Sequence, residues 1–288
     1  MEKNDLLESL IAMSLEVGKE VAYVQGGGGN TSVKLSSSQM AIKASGINLK
    51  EMCKESGYSI IDYVALNNFL KAGDVREESF SKKINSFRLE TDNRPSIETG
   101  FHSFLGKFVI HTHSVFANIL NCSFEGREHI NSLFPNAILI DYATPGRDLT
   151  LEIMKKMNFL SMPEGVIFLQ NHGVIAWAES SINAIRIHKE ISNKIIKEFD
   201  LESFLYDSKK LFTIDKDPSK ILFPDQAVFT LAGDEILKSA SAQETICSYN
   251  YILNSIESLG FSPMFLSEKE SLKLINMESE KFRQALIQ

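Results

Sequence analysis

The chain has little cysteine. Cys53, Cys122 and Cys247 are odd in number and far apart, and no Cys-x-x-Cys pair occurs. That argues against a disulfide framework and against a thiolate zinc site. It also lacks a surplus of positive charge, with 30 Lys+Arg against 37 Asp+Glu and a formal net charge of −7. Neutralising a phosphate backbone needs such a surplus, and no dense Lys/Arg run is present, so no nucleic-acid partner is expected. No apolar run approaches the roughly 20 residues of a membrane helix. The opening MEKNDLLESL is charged and has no apolar stretch of the signal-peptide kind. No membrane partner and a reducing cytoplasm are therefore the expectation. Internal repeats and low-complexity segments are absent as well.

The hydrophobic fraction of 43% and charged fraction of 23% are those of an ordinary globular protein. Across 288 residues, folding buries enough surface for a core without staples.

Leu6, Leu7, Leu10, Ile11, Met13 and Leu15 recur at helical spacing after Asn4 and Asp5, which can cap. The run Gly26-Gly27-Gly28-Gly29 breaks that helix. Strands are expected at Thr31–Leu35, Met40–Lys43 and Tyr58–Leu66, and residues 71–95 read as loop. Ser96 is expected to open a short helix to about Leu105, which puts Glu98 in its first turn. Lys107–Thr112 and Ala137–Ile140 read as strands, with a helix at Val115–Leu120. Val166–Leu169 and Val174–Trp177 read as a hairpin around Asn171-His172-Gly173. Ser181–Phe199 is a long helix, Asp215–Pro224 a polar connector, and 234–258 and 267–286 two further helices. Ser267 and Glu270 form a capping box for the last.

Val109-Ile110-His111-Thr112-His113 carries the most chemistry. Residues two apart on a strand share a face, so both imidazoles project together. A chance His-x-His pair is expected only about 0.1 times with 6 His among 288 residues. Two convergent neutral imidazoles are half of a divalent metal site. His172, in a tight turn, is either a rigidly held ligand or a turn histidine bonded to backbone. Glu98 by itself reads as a complement to the helix dipole. His102, four residues on, is a packing residue or a support for its neighbours. His188 lies on an apolar helical stripe and reads as core, and His129 as surface. The glycine run is neither a dinucleotide fingerprint nor a Walker loop. It is either a flexible turn or an anion cradle of free N–H groups, with Asn30, Thr31 and Ser32 adding side-chain donors.

Taken in order, six pieces resemble the class II aldolase/adducin family across roughly residues 5–200. They are Gly28-Gly29-Asn30-Thr31-Ser32, Ala44-Ser45-Gly46-Ile47, Pro95-Ser96-Ile97-Glu98 with His102, His111-Thr112-His113, Tyr142-Ala143-Thr144-Pro145-Gly146-Arg147 and Gln170-Asn171-His172-Gly173. Pro224-Asp225-Gln226-Ala227-Val228-Phe229 is similar to the segment after the aldolase domain in the branch fused to a dehydrogenase, the rhamnulose-1-phosphate branch. No Rossmann half follows, so dehydrogenase activity is not implied.

The resemblance implies an α/β/α sandwich with a central, mainly antiparallel sheet over residues 1–205. Residues 206–288 are then a mostly helical C-terminal extension packing on it. It implies a divalent metal, usually zinc, held by Glu98, His111, His113 and His172. It places a phosphate pocket on Gly29, Asn30, Ser45, Gly46 and Ser96. Two departures stand out: Ile97 replaces the second serine of the aldolase Pro-Ser-Ser-Glu pattern, and the segment Glu128–Asn136 holds no acid tyrosine, so no general acid is named. The implied reaction is lyase cleavage of a sugar phosphate to dihydroxyacetone phosphate and an aldehyde through a metal-stabilised enediolate. Glu98 would shuttle the proton and Asn30 would help hold the enediolate. A homotetramer is implied too. The same ligand set also serves epimerases, dehydratases and decarboxylases of sugar phosphates or sugar acids, and adducin-like members are non-catalytic interaction modules.

Overall fold

A computed structural model describes residues 2–73, 75–156, 162–231 and 233–277. Its centre is a seven-stranded sheet of order β3-β2-β1-β4-β7-β6-β5. The strands are β1 Asn30–Lys34, β2 Gln39–Lys43, β3 Tyr58–Asp62, β4 Phe108–Thr112, β5 Ile138–Ile140, β6 Gly165–Leu169 and β7 Gly173–Ala178. Every pairing is antiparallel except β5 with β6. The expected mainly antiparallel sheet is what the structure contains.

Both faces of the sheet are covered, which is why β4 and β7 are buried along their whole lengths. Phe108 and Ile110 of β4 join a core that includes α1 (Lys3–Gly18), α5 (Val115–Asn121) and α8 (Ser181–Phe199). Val109, one residue out of phase, joins the opposite core with α4 (Thr99–Phe104) and α7 (Arg147–Lys155). On that same side Met40, Ile42 and Ile61 pack under α2 (Tyr63–Lys71) and α3 (Glu77–Ser86). The result is a three-layer α/β/α sandwich. Four more helices follow α6 (Gly126–Leu133), α7 and α8: α9 Pro224–Thr230, α10 Asp234–Leu237, α11 Ala240–Ser258 and α12 Glu268–Asn276. α11 packs on α5 and α9, and α12 packs on α9.

Several boundaries differ from the sequence expectation. α1 begins at Lys3, before Asn4, and Asp5 reaches back to accept the Glu2 N–H at 3.2 Å. The strand expected over Tyr58–Leu66 stops at Asp62, whose carboxylate accepts the Ala65 N–H at 2.9 Å and starts α2. The stretch expected as loop at 71–95 contains α3, which among its described side chains buries only Phe80 and Ile84, four residues apart. The helix expected from Ser96 begins at Thr99. Ser96 Oγ instead accepts the Glu98 N–H at 3.2 Å, so Glu98 stands before the helix and not in its first turn. The helix expected over 234–258 is two, because Ser239 caps α11 by accepting from Ala242. The capping box of Ser267 and Glu270 is present at α12, and residues 278–286 of that expected helix lie outside the described residues.

Candidate metal centre

The sheet register brings the site residues together. Asn30, the first residue of β1, lies directly opposite His111 of β4. Residues paired in this way show their side chains on one face. His172 enters from the β6–β7 turn, where Asn171 takes a left-handed φ of 52°. The next residue is glycine for reasons of space: a Cβ on Gly173 would stand 2.2 Å from the Thr112 carbonyl oxygen. That close approach seats the His172 turn against the end of β4. His113 lies one residue beyond β4, and Ser114 caps α5 immediately after it.

The three imidazoles form a tight triangle, with ring centroids 4.9 to 5.1 Å apart. One ring nitrogen from each of His111, His113 and His172 lies within 4.8 Å of the other two. The Glu98 carboxylate closes the group, with Oε2 3.4 Å from His111 Nε2 and Oε1 3.6 Å from His172 Nε2. All four residues are buried.

The tautomers follow from the outer partners. His111 Nδ1 donates to the Val174 carbonyl at 3.1 Å, and His113 Nδ1 donates to Asp225 Oδ2 at 2.9 Å. Each Nε2 therefore turns a lone pair inward. Burial, opposed by the Glu98 charge, holds His111 down at about 4, so it is neutral at physiological pH. Glu98 Oε1, His111 Nε2 and His113 Nε2 are buried with no hydrogen-bond partner among the described residues. Buried polar atoms are otherwise nearly always bonded. Converging acceptors without protons between them fit a divalent cation, with the N/O donor set that zinc takes.

His102 supports this group. Its Nε2 bonds Asn30 Oδ1, and Ser32 Oγ donates to its Nδ1 at 2.7 Å. Burial keeps its pKa well below the ordinary histidine value. His188 is fully buried and bonds Thr112 Oγ1 at 2.7 Å, as a core histidine. His129 is half-buried and stacks on Phe261.

A cleft opens from the imidazoles. Gly29, Asn30, Ser45, Gly46 and Ser96 all line it, together with Glu98, His113 and His172. Ser96 reaches it from a turn, three residues before the helix expected from it. Lys43, which no motif marks, supplies a positive charge. It lies at the end of β2, lines the same cleft, and its Nζ donates to the Gly27 carbonyl at 3.1 Å. The opposite wall comes from far along the chain, with Pro224 and Asp225 of α9 and Leu274 of α12. Alternation along β2 could have singled out Lys43 as one residue before Ala44-Ser45-Gly46. Nothing in the sequence pairs Asp225 with a histidine 112 residues away.

The sequence model of the Class II Aldolase and Adducin N-terminal domain matches residues 8–193. Among solved structures, the chain is similar to the N-terminal class II aldolase domain of a conserved protein from Thermoplasma acidophilum. That likeness has a TM-score of 0.60 at 24% identity and covers 67% of this chain and 92% of that one. YgbL from Escherichia coli, named as a candidate aldolase, epimerase or decarboxylase, matches with TM-score 0.52 at 19% identity over 71% of this chain and 93% of its own. YgbL from Klebsiella pneumoniae gives 0.51 at 17%, over 70% and 92%. At these identities the likeness is one of fold. No curated protein matches the chain.

Proposed function

The chain belongs to the class II aldolase and adducin family, and from that premise we propose that it is a zinc-dependent lyase that cleaves a sugar phosphate to dihydroxyacetone phosphate and an aldehyde. The observation that carries this reading is one cleft holding both halves of the chemistry. At its floor are His113, His172 and Glu98, with His111 buried directly behind them, and beside them are Lys43, Ser45 and Gly46. A non-catalytic module has no use for three convergent buried imidazoles, two of them with lone pairs turned inward.

In this reading His111, His113 and His172 hold the ion, with Glu98 as its carboxylate ligand. When bound, the metal supplies a Lewis acid that takes up the negative charge left as the carbon–carbon bond breaks. Asn30 donates to Glu98 Oε2 at 2.7 Å, which leaves Oε1 as the atom able to carry a proton to or from carbon. Lys43, with Gly29, Asn30, Ser45, Gly46 and Ser96, holds the phosphate and fixes the reacting carbons over Glu98. Residues 1–205 form the catalytic unit and 206–288 an extension that walls the cleft. We place the protein in the cytoplasm, in keeping with its three free cysteines.

The test is twofold. Purified protein should carry about one zinc per chain, and a panel of ketose 1-phosphates should yield dihydroxyacetone phosphate in a coupled assay. Metal-loaded protein that cleaves none of them but epimerises or decarboxylates related sugar acids would overturn the lyase assignment. The reading includes a homotetramer, with a neighbouring chain bordering each site as closed symmetric assemblies allow. Light scattering that finds a fully active species at the 32.3 kDa monomer mass would overturn that part.

A further inference from the structure

His111 is aimed by the sheet, since its Nδ1 donates to a strand carbonyl. His113 has no such support. It lies past the last residue of β4 and before the cap of α5, where no ladder bond sets its ring. What its Nδ1 meets is Asp225 Oδ2 at 2.9 Å, with both residues buried. Asp225 follows Pro224, the first residue of α9, whose fixed φ suits a helix start. It lies 32 residues beyond the end of the matched family domain, 225 against 193.

A second feature, remote in sequence, is fitted to the same pair. Gly28 does not adopt a positive φ, so conformation alone does not require glycine there. Space does: a Cβ on Gly28 would stand 2.6 Å from Asp225 Oδ2 and 2.9 Å from His113 Nδ1. Any side chain would push the carboxylate off the imidazole. The glycine loop is itself held by the extension, because the Gly26 N–H donates to Glu244 Oε2 of α11 at 2.6 Å.

We propose that Asp225 is a positioning residue for the metal centre, and that Gly28 is glycine to admit it. The Asp225 carboxylate fixes His113 in the tautomer whose Nε2 faces the site and holds its ring in place as a ligand. Carboxylate partners of metal-bound histidines have this effect, and losing one lowers metal affinity by about 10- to 100-fold. The C-terminal extension is thereby part of the metal site. This inference rests on the metal-binding reading above.

The experiment uses the full-length chain, stripped of metal and titrated with zinc against a chromophoric chelator. Wild type, Asp225→Asn, Asp225→Ala and Gly28→Ala are compared, with circular dichroism and melting of each apo form. Asp225→Asn keeps shape and removes charge, and Gly28→Ala disturbs the pair from the other side. The expected result is native-like apo folds, zinc affinity lowered about 10- to 100-fold in Asp225→Asn and Gly28→Ala, and a larger loss in Asp225→Ala. Cobalt in place of zinc should show a shifted visible band in Asp225→Asn, which a purely structural role would not produce. Wild type that binds one zinc while Asp225→Asn binds it equally well, with an unchanged cobalt band, overturns this inference and leaves the metal site standing. Wild type that binds no zinc overturns both.

Discussion

Asn30 Nδ2 donates to Glu98 Oε2 at 2.7 Å, and that bond is the last of a one-way chain. Because the Asn30 amide turns its N–H to Glu98, its Oδ1 faces His102 and must accept from Nε2–H. His102 Nδ1 is then an acceptor, filled by Ser32 Oγ–H at 2.7 Å. Burial keeps His102 neutral, which the chain requires. A serine and an asparagine on one strand thus orient, through a neutral imidazole, the Glu98 carboxylate beside the three imidazoles.

Asn30→Asp reverses the last link. It replaces the donor with a second carboxylate beside Glu98 and puts a negative charge in the cleft proposed to hold the phosphate. We expect kcat/KM to fall by about 100-fold or more, the scale of losing one well-placed donor. Inorganic phosphate should also lose its ability to compete. Steady-state kinetics with and without phosphate check both, and a variant of wild-type kcat/KM would remove Asn30 from the mechanism.

His172→Ala and His111→Ala should each abolish stoichiometric metal. Removing one of three imidazoles leaves the others with an incomplete set, so zinc per chain after dialysis should drop from about one to below about 0.1. Activity lost to a chelator should return on adding zinc to wild type and not to either variant. Elemental analysis of the dialysed proteins decides the matter. Retention of a full equivalent by His172→Ala would take His172 out of the ligand set.

The metal site was partly legible because it follows backbone period. Strand alternation in the sequence predicts that His111 and His113 project together, although His113 lies one residue past β4, and a polar turn between two apolar runs marks His172 as rigidly held. Glu98 was different. Its position is set by the Ser96 turn and by Asn30 across the sheet, so the residues alone suggested a helix-dipole role and only the family resemblance placed it at the metal. Asp225 and Lys43 each acquire their meaning at the site from residues in other elements, which local period does not show. The fold errors have the same origin. Tyr63, Val64, Ala65 and Leu66 suit a strand as well as a helix, and it was the Asp62 cap that decided. α3 buries too few apolar residues to show a period.

Lys43 should set the preference for an anionic substrate. It is a cation lining the cleft, beside the Ser45 and Gly46 proposed to hold the phosphate. A charged hydrogen bond contributes about 1.5–3 kcal/mol, so Lys43→Met should raise KM for a phosphorylated ketose by about 10- to 100-fold. Turnover of the unphosphorylated sugar should change little. Paired kinetics on the two substrates test this, and an equal loss on both would mean that Lys43 supports the Gly27 loop rather than the phosphate.

Acid should weaken the joint between α1 and α8. Glu16 of α1 pairs with Lys189 of α8 and with Lys19 at 2.6 Å, and these bonds, Lys189 first, hold its carboxyl down at about 2 from an ordinary value of 4.5. A carboxyl whose folded pKa lies below its unfolded one stabilises the fold above the unfolded value, and that contribution is lost as pH falls from about 5 towards 2. Glu16 is about one-third exposed, so solvent screening reduces the pair to the surface scale of about 0.3–1 kcal/mol. Glu16→Gln should lower Tm by roughly 1–3 °C at pH 7, and the gap to wild type should narrow below pH 4.5. Melting curves of both proteins from pH 7 to pH 3 check the sign. A gap that widens on acidification would show that Glu16 is not held ionised by Lys189.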